Sequence, residues 1–379
     1  MKILHIADVH LEHPFSGESP HIAAVRRRES LEAFERAVNL AMLEEVDLVL
    51  IAGDFFDRKN IPIAVAQRVF SIIEASGLNF VLSPGNHDFY TPDSIYNHQS
   101  VPKNLHIFKK EKIEEKIYET EKERVRVCGY AFTSPSVEAP PFRGYTPSKD
   151  GAINILVAHG NMYASSIPDC PIKMSDIQNS GFDYIALGHI HNSPEIKREG
   201  SVYYGYSGSL EPLSFADIGK RGAFLCEIEK IDGELKVNAE FVKLAKREYF
   251  VCRVDVSGKN SAEEILSEAL SSFNGERSEN SMVRFIFVGG LTMGVELPIS
   301  ALRASLSSLG ELDIKNQTYP AISSEYLLND PTLKGEVRRA LDLAINSDDE
   351  LERETALLAL KYIISALDGI DIADFGEEV

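Results

Sequence analysis

The first half of the chain alternates short apolar runs with segments whose apolar residues recur at helical spacing. The runs at residues 2–7, 46–52 and 79–83 have the length of strands, and the near-continuous run at 46–52 is typical of a strand buried on both faces. Residues 22–45 and 62–76 show helical spacing between these runs. The alternation predicts an α/β domain whose helices pack around a sheet.

Further strands follow along the same domain. Residues 124–130 have the pattern of a charged strand, residues 153–158 and 183–187 are short apolar runs, and residues 195–244 contain a series of short strand patterns. We therefore predict that the first domain covers residues 1–245.

The second half has a different pattern. Residues 246–320 combine three short strand patterns with two helical ones, which predicts a small α/β domain. The last predicted segment, residues 321–379, contains two amphipathic helical patterns at 331–346 and 349–367.

The composition is that of a soluble globular protein. The chain has 379 residues, of which 44% are apolar and 26% charged, so two or three domains with real cores are expected. No run approaches the roughly 18 apolar residues of a membrane span. The first ten residues contain only a short apolar run, which argues against a secretory signal. The four cysteines form no CxxC pair, so we expect a reducing, cytoplasmic location.

The net charge of −19 is unevenly distributed. Residues 320–379 account for nine of these negative charges. A protein that merely coats nucleic acid is expected to be basic. The net charge of the whole chain would argue against nucleic acid as a partner, but about half of it lies in the C-terminal segment. It is therefore weak evidence about what the first domain binds.

Clusters of residues that can bind metal ions follow directly after the apolar strands of the first domain. Strands in open α/β sheets gather ligands at their carboxyl ends, so we expect these clusters to share one cleft. One such motif could arise by chance in a turn, whereas five in this arrangement are hard to explain structurally. The clusters are DVH at 8–10, GDFFD at 53–57, GNHD at 85–88, HG at 159–160 and GHIH at 188–191.

The residue types indicate a pair of metal ions. Carboxylates, one carboxamide and imidazoles without sulfur suit Mn²⁺, Fe²⁺ or Zn²⁺. The set exceeds the needs of one ion, and a shared carboxylate can bridge two ions about 3.5–4 Å apart. Such a pair activates water and clamps phosphoryl oxygens. We expect Gly53, Gly85 and Gly188 to permit positive φ angles and close backbone approach at these turns.

The order of these motifs resembles the calcineurin-like metallophosphoesterase superfamily. The longer stretches HIADVHLEHPFSG, DLVLIAGDFFDR, SPGNHD, DYIALGHIH and YSGSLEPLSF resemble SbcD-type DNA-repair exonucleases of a bacterial branch, the partners of SbcC-type ATPases. The resemblance extends over about residues 1–256. It implies a two-sheet βαβ sandwich core flanked by helices, a small α/β capping domain and a C-terminal helical segment.

The resemblance also implies which residues hold two divalent ions. Mn²⁺ is the expected ion, with Fe²⁺ and Zn²⁺ as alternatives. The implied ligands are Asp8, His10 and His191 at one ion, Asn86, His159 and His189 at the other, and Asp54 between both.

Catalytic and substrate contacts are implied beside the ligands. His87 is expected to stay off the metals and to protonate or stabilise the leaving oxygen, and Asp57 to orient His87. Arg58 could contact a substrate phosphate or could equally be a solvated loop residue.

Four other features carry weaker interpretations. We expect His5 to be a packed core residue, and His13 either to rim the cleft or to serve only its loop. Residues 26–28, three arginines in a helix, are expected to form a solvated face, and the basic residues of 243–247 are a more plausible contact for phosphate.

The favoured function is hydrolysis of DNA phosphodiester bonds by a nuclease subunit. The resemblance implies that the C-terminal helices grip an SbcC-like ATPase, and their acidity suits a basic protein surface. Self-association through residues 62–76 and 92–99 is a further expectation. One alternative is a phosphoesterase for a small nucleotide, lipid-precursor or phosphoprotein substrate, and another is a non-catalytic scaffold.

Overall fold

The chain divides into two compact units, Met1–Glu248 and Tyr249–Val379. The small α/β domain and the C-terminal helices, predicted as separate segments, both lie in the second unit. The computed structural model describes residues 1–98, 100–120, 123–163, 169–192, 194–231, 233–292, 294–321 and 327–367.

Unit 1 contains two six-stranded sheets, and each has four neighbouring parallel strands. In sheet 1 the parallel strands reach one edge, and two strands in antiparallel pairing lie on the other side. In sheet 2 the parallel strands are central, with one antiparallel strand at each edge. In spatial order, sheet 1 consists of β12 (Glu234–Lys243), β11 (Gly222–Ile231), β1 (Lys2–Ile6), β2 (Leu48–Ile51), β3 (Asn79–Leu82) and β4 (Leu105–Ile107). Sheet 2 consists of β5 (Glu114–Glu119), β6 (Arg124–Gly129), β7 (Ile153–His159), β8 (Tyr184–Gly188), β10 (Val202–Tyr206) and β9 (Glu195–Glu199).

Helices of unit 1 begin and end at residues with clear terminal preferences. Helix α1 (Pro20–Leu43) has proline in its first turn, and the Ser19 hydroxyl caps it by accepting the Ile22 N–H. Helix α2 (Ile63–Ser76) ends at Gly77, whose φ of 68° is left-handed. A short α3 (Met174–Gln178) precedes β8.

Three apolar layers stabilise unit 1. One lies between α1, α2 and sheet 1, a second between the two sheets, and a third on the other face of sheet 2. The predicted α/β class and two-sheet architecture are thereby confirmed. Each strand that carries ligand residues has apolar side chains packed on both faces, which fixes the position of the residues at its end.

Unit 2 has its own core. Its three-stranded sheet packs with two helices, and a separate cluster joins its last three helices. The strands, in spatial order, are β13 (Glu248–Asp255), β14 (Ser281–Thr292) and β15 (Glu311–Ala321), and the helices are α4 (Ala262–Ser272), α5 (Ile299–Ser305), α6 (Leu333–Ala340), α7 (Asp342–Ile345) and α8 (Glu350–Leu367).

Several sequence expectations are corrected. The helix predicted at 331–346 is two helices, and the predicted 92–99 contains only the 3-10 turn Ile95–Asn97, while Gln99 lies outside the described residues. Tyr96 of that turn is buried, so it is not available for self-association. Among the described helices, none is long and apolar enough to cross a membrane.

The expected solvated arginine face is wrong for Arg26. This residue is fully buried, with its guanidinium stacked over the Phe15 ring and donating to the Pro212 carbonyl. Arg28 is exposed, as expected for a solvated side chain.

Candidate metal centre

The ligand clusters come from neighbouring strands of both sheets. Strands β1, β2 and β3 are consecutive parallel strands of sheet 1, and β7 and β8 are adjacent parallel strands of sheet 2. Backbone bonds join the turns that follow β1 and β2, because Asp8 N–H donates to Gly53 O at 3.1 Å and His10 N–H donates to Asp54 O at 2.9 Å. The structure thus brings the five clusters into one cleft.

The first ligand group consists of Asp8, His10 and His191. Their donor atoms lie within 4.8 Å of one another. His10 Nε2 and His191 Nε2 are 3.1 Å apart, and the Asp8 carboxylate is fully buried. Nitrogen atoms that converge in this way, beside a buried carboxylate, suit a cation between them.

The second group is built around Asn86. Its side-chain oxygen lies 2.9 Å from His159 Nε2 and 3.3 Å from His189 Nδ1. His159 is fully buried, whereas His189 is partly exposed at the cleft. The carboxamide therefore faces two imidazoles from sheet 2.

Asp54 lies between the two groups. Its Oδ2 atom is 3.3 Å from His159 Nε2 and 3.7 Å from His10 Nε2. Burial alone would raise the pKa of Asp54, but the nearby imidazoles, His159 foremost, hold it below its usual range. The side chain is thus a charged carboxylate in the position that a bridging ligand would take.

The donor set fits divalent metal ions. The described residues contain three overlapping groups of carboxylate oxygens and imidazole nitrogens, and within each group the atoms lie within 4.8 Å of one another. Each group includes two of the residues Asp8, His10 and Asp54. One of these groups includes His87, which the resemblance leaves off the metals. Two ions could be held by the seven residues expected from the sequence.

Hydrogen bonds behind the ligands orient two of the imidazoles. His159 Nδ1 is 3.0 Å from the Ala52 carbonyl, and His191 Nδ1 is 3.1 Å from Asp217 Oδ1. Burial lowers the pKa of each ring, but the Asp54 carboxylate at His159 and the Asp217 carboxylate at His191 more than offset this effect and raise both pKa values to about 9. These bonds place the Nδ1 hydrogens away from the cleft and leave Nε2 toward the ligand groups.

Two supporting carboxylates carry no sequence signal that identifies their role. Asp217 lies in a loop after β10, outside every motif. Asp88 belongs to the GNHD motif, but only the structure shows that its buried carboxylate accepts the N–H groups of Phe55, Phe56 and Gly85. It also accepts the Tyr96 hydroxyl. Asp88 therefore ties the turn after β2 to the turn after β3.

The backbone geometry differs from the expectation about glycines. Of the three glycines, only Gly53 has a positive φ, at 89°. The ligands themselves adopt this unusual region, with φ angles of 48° at Asp8, 45° at His10 and 47° at Asp54. Gly188 is required for close approach instead, because a Cβ atom there would lie 1.7 Å from the Ala52 carbonyl oxygen. Strained backbone at the ligands marks a site whose geometry the surrounding core imposes.

His87 and Asp57 are adjacent, but their contact differs from the expected one. The His87 side chain is 44% exposed, and its Nδ1 lies 3.0 Å from the Asp57 backbone carbonyl. The Asp57 carboxylate is 3.9 Å from His87 Nδ1 and 3.3 Å from His10 Nδ1. Asp57 therefore holds His87 through its backbone and faces His10 with its side chain. Arg58 is exposed beside them.

The weaker sequence features fall outside the ligand groups. His5 is buried between β1 and β8, as expected, and contacts the Tyr184 hydroxyl and the Leu187 carbonyl. Lys246 and Arg247 pair with the buried Glu29 carboxylate at 3.1 and 2.6 Å. This one carboxylate thus offsets part of the positive charge of the two side chains within unit 1.

Comparisons with known proteins cover the same region. The family described as calcineurin-like phosphoesterase matches residues 1–193. The uncharacterized metallophosphoesterase YhaO of Bacillus subtilis is 27% identical over 331 residues, which is 84% of this chain and 79% of that protein.

Two relatives are named DNA double-strand break repair protein Mre11. The protein of Methanopyrus kandleri is 30% identical over 289 residues, 70% of this chain and 61% of that protein. The protein of Aeropyrum pernix is 26% identical over 276 residues, 69% of this chain and 65% of that protein. The chain thus spans slightly less than two thirds of each of these two relatives.

Proposed function

The chain belongs to the calcineurin-like phosphoesterase family, and from this premise we propose that it is a two-metal nuclease subunit that hydrolyses DNA phosphodiester bonds. The observation that carries the proposal is the convergence of seven ligand residues, with Asp54 at their centre, while His87 is exposed at the edge of the same cleft. The names of two relatives support DNA as the substrate.

The residues of the cleft would hold two metal ions that take part in the hydrolysis. Two divalent ions bound there would activate water and neutralise charge on the phosphoryl oxygens. Asp8, His10 and His191 would hold one ion, Asn86, His159 and His189 the other, and Asp54 both. Mn²⁺ is the ion we propose, because mixed oxygen and imidazole ligands without sulfur suit it.

His87 is the proposed general acid. Its Nδ1 hydrogen is donated to the Asp57 carbonyl, which fixes the ring. In the protonated ring, Nε2 then carries the proton that passes to the leaving sugar oxygen as the phosphorus–oxygen bond breaks. Arg58, exposed beside Asp57, would contact a phosphate of the substrate.

The partner in this proposal is an SbcC-like ATPase that binds the C-terminal helices. Leu351, Leu357, Leu358 and Leu367 of α8 are exposed apolar side chains. They lie in a segment with excess negative charge, which suits a partner surface that is both apolar and basic. Self-association through α2 is also proposed, and a monomer in gel filtration at micromolar concentration would refute it.

A nuclease assay with Mn²⁺ tests the main proposal. Labelled single- and double-stranded DNA would be incubated with the wild type, His87→Gln and Asp54→Ala, beside the simple diester bis(para-nitrophenyl) phosphate. We expect the wild type to cleave DNA and both variants to lose the activity. Wild-type protein that hydrolyses the simple diester, but leaves DNA intact even with the ATPase added, would favour the small-substrate alternative.

A further inference from the structure

The Asp57 carboxylate has an unusual environment. Its Oδ1 atom is buried and accepts no hydrogen bond from the residues that the structure describes. Three imidazole nitrogens surround this oxygen, with His10 Nδ1 at 3.3 Å, His87 Nδ1 at 3.9 Å and His13 Nε2 at 4.0 Å. A buried carboxylate oxygen is stabilised by nearby donors, so the protonation of these nitrogens matters.

His13 is the one of the three that the proposed mechanism does not use. The backbone N–H of Phe15 donates to His13 Nδ1 at 3.2 Å. Because Nδ1 is the acceptor, the neutral ring must carry its hydrogen on Nε2. That is the atom that faces Asp57, so the loop backbone itself sets the ring to present a donor.

Contacts with the body of unit 1 hold His13 in place. Its ring meets the edge of Phe15, with centroids 4.5 Å apart. Phe15 is in turn covered by the Arg26 guanidinium at 4.6 Å, and this buried group donates to the Pro212 carbonyl at 2.6 Å. A side chain supported in this way keeps a defined position, unlike a solvated loop residue.

We propose that His13 is a positioning residue that acts through Asp57, with its Nε2–H attracting the carboxylate electrostatically across 4.0 Å and so keeping it between His10 and His87. This inference rests on the proposed hydrolytic function. With the donor present, the Asp57 side chain stays against His10 while its carbonyl stays on His87. Without the donor, the carboxylate can turn, so His10 loses its neighbour at 3.3 Å and His87 loses the negative charge at 3.9 Å, although the Asp57 carbonyl still holds the His87 ring. His13 does not touch substrate in this arrangement, so its loss affects kcat and not KM.

Two variants of the full chain separate the donor from the loop contact. In His13→Asn the side-chain oxygen can still accept the Phe15 N–H, but the side chain is too short to reach Asp57. In His13→Gln the amide nitrogen reaches the place of Nε2. With Mn²⁺ and bis(para-nitrophenyl) phosphate, we expect kcat of the asparagine variant to fall about tenfold while KM changes less than about twofold. The glutamine variant should recover most of kcat.

The control is His21→Asn, which changes an exposed histidine at the start of α1 and should match the wild type. Three results would overturn the proposal. They are wild-type kcat in His13→Asn, which keeps the loop contact, a change confined to KM, or equal loss in both His13 variants, which would show that a donor at the place of Nε2 is not what matters.

A measurement that needs no activity tests the premise. In metal-free protein with ¹⁵N-labelled histidine, nitrogen chemical shifts should show the Nε2–H tautomer for His13. The Nδ1–H tautomer would refute the proposal even if the variants fail to fold. If the wild type cleaves the simple diester but not DNA, even with the ATPase added, the DNA proposal fails while the positioning comparison stands.

Discussion

The ligand cleft of unit 1 and the C-terminal helices of unit 2 depart in opposite ways from the usual distribution of residues. In the cleft, Asp8, Asp54 and His159 are buried polar side chains. In the helices, Leu343 and Leu351 are apolar side chains that are 90% and 74% exposed. Burial of charge and exposure of large apolar groups both cost free energy of folding.

The two regions differ in which contacts offset this cost in free energy. The polar groups of the cleft have partners inside the same unit, such as the Asp217 carboxylate behind His191 and the Ala52 carbonyl behind His159. Helix α8 leaves Leu351, Leu357 and Leu358 exposed. The cleft can therefore be tested with this chain alone, whereas a test of the role proposed for the helices requires a second molecule.

The largest expected effect comes from changing Asp54, the carboxylate proposed to bridge the two ions. In the wild type, the backbone N–H of His87 donates to Asp54 Oδ1 at 3.0 Å. Asp54→Asn keeps an oxygen that can accept this hydrogen bond, but it removes the negative charge between the two ligand groups. We expect kcat for the simple diester with Mn²⁺ to fall about a thousandfold, or about 4 kcal/mol of barrier. Asp47→Asn, at the other end of β2, is the matched control, and comparable activity in both variants would contradict the bridging role.

The next effect concerns the packing behind the cleft. Gly188→Ala places a Cβ atom 1.7 Å from the Ala52 carbonyl oxygen, so β2 and β8 would have to move apart. We expect the free energy of unfolding in urea to fall by about 3 kcal/mol. In Gly17→Ala, no atom lies within 4 Å of the added Cβ, so its stability should stay close to that of the wild type. A loss of less than about 1 kcal/mol in Gly188→Ala would show that the two strands can separate at little cost.

Two leucines in α8, one buried and one exposed, test whether the exposed face of this helix contributes to the stability of unit 2. Leu360 is 7% exposed within the helical cluster, and Leu358 is 48% exposed. Truncation to alanine should cost about 2 kcal/mol at Leu360 and less than about 0.5 kcal/mol at Leu358. Thermal unfolding measures both. A large loss at Leu358 in the isolated chain would mean that the exposed face is already covered within the protein.

The smallest effect is a pH dependence from a buried histidine away from the ligands. Burial lowers the pKa of His5 to about 4, from an ordinary value of 6.5. As the pH falls below 6.5, the unfolded chain binds a proton that the folded chain does not, so stability decreases with falling pH. Between pH 6.5 and 5 this amounts to about 1.5 kcal/mol. In metal-free protein, His5→Gln should show a shallower fall of Tm over this range, and an unchanged slope would contradict the assignment.

Local features of the sequence determined much of the fold. The apolar runs at 46–52 and 79–83 contain β2 and β3, because a strand buried on both faces leaves a continuous apolar signal over four to seven residues. The end of α2 at Gly77 was equally predictable, since glycine readily takes the left-handed conformation. The ligand types also follow from the sequence, since each motif contains its own donors.

Only the tertiary structure decided how these parts meet. The ligands come from the ends of strands in two different sheets, and Asp217 supports His191 from a separate loop. Positive φ angles occur at Asp8, His10 and Asp54 as well as at Gly53, while the sequence suggested only glycines. Arg26 is buried over Phe15, although its neighbours in sequence suggested a solvated face. Periodicity reports only neighbours along the chain, whereas these contacts join residues distant in sequence, and burial in the folded core determines their energies.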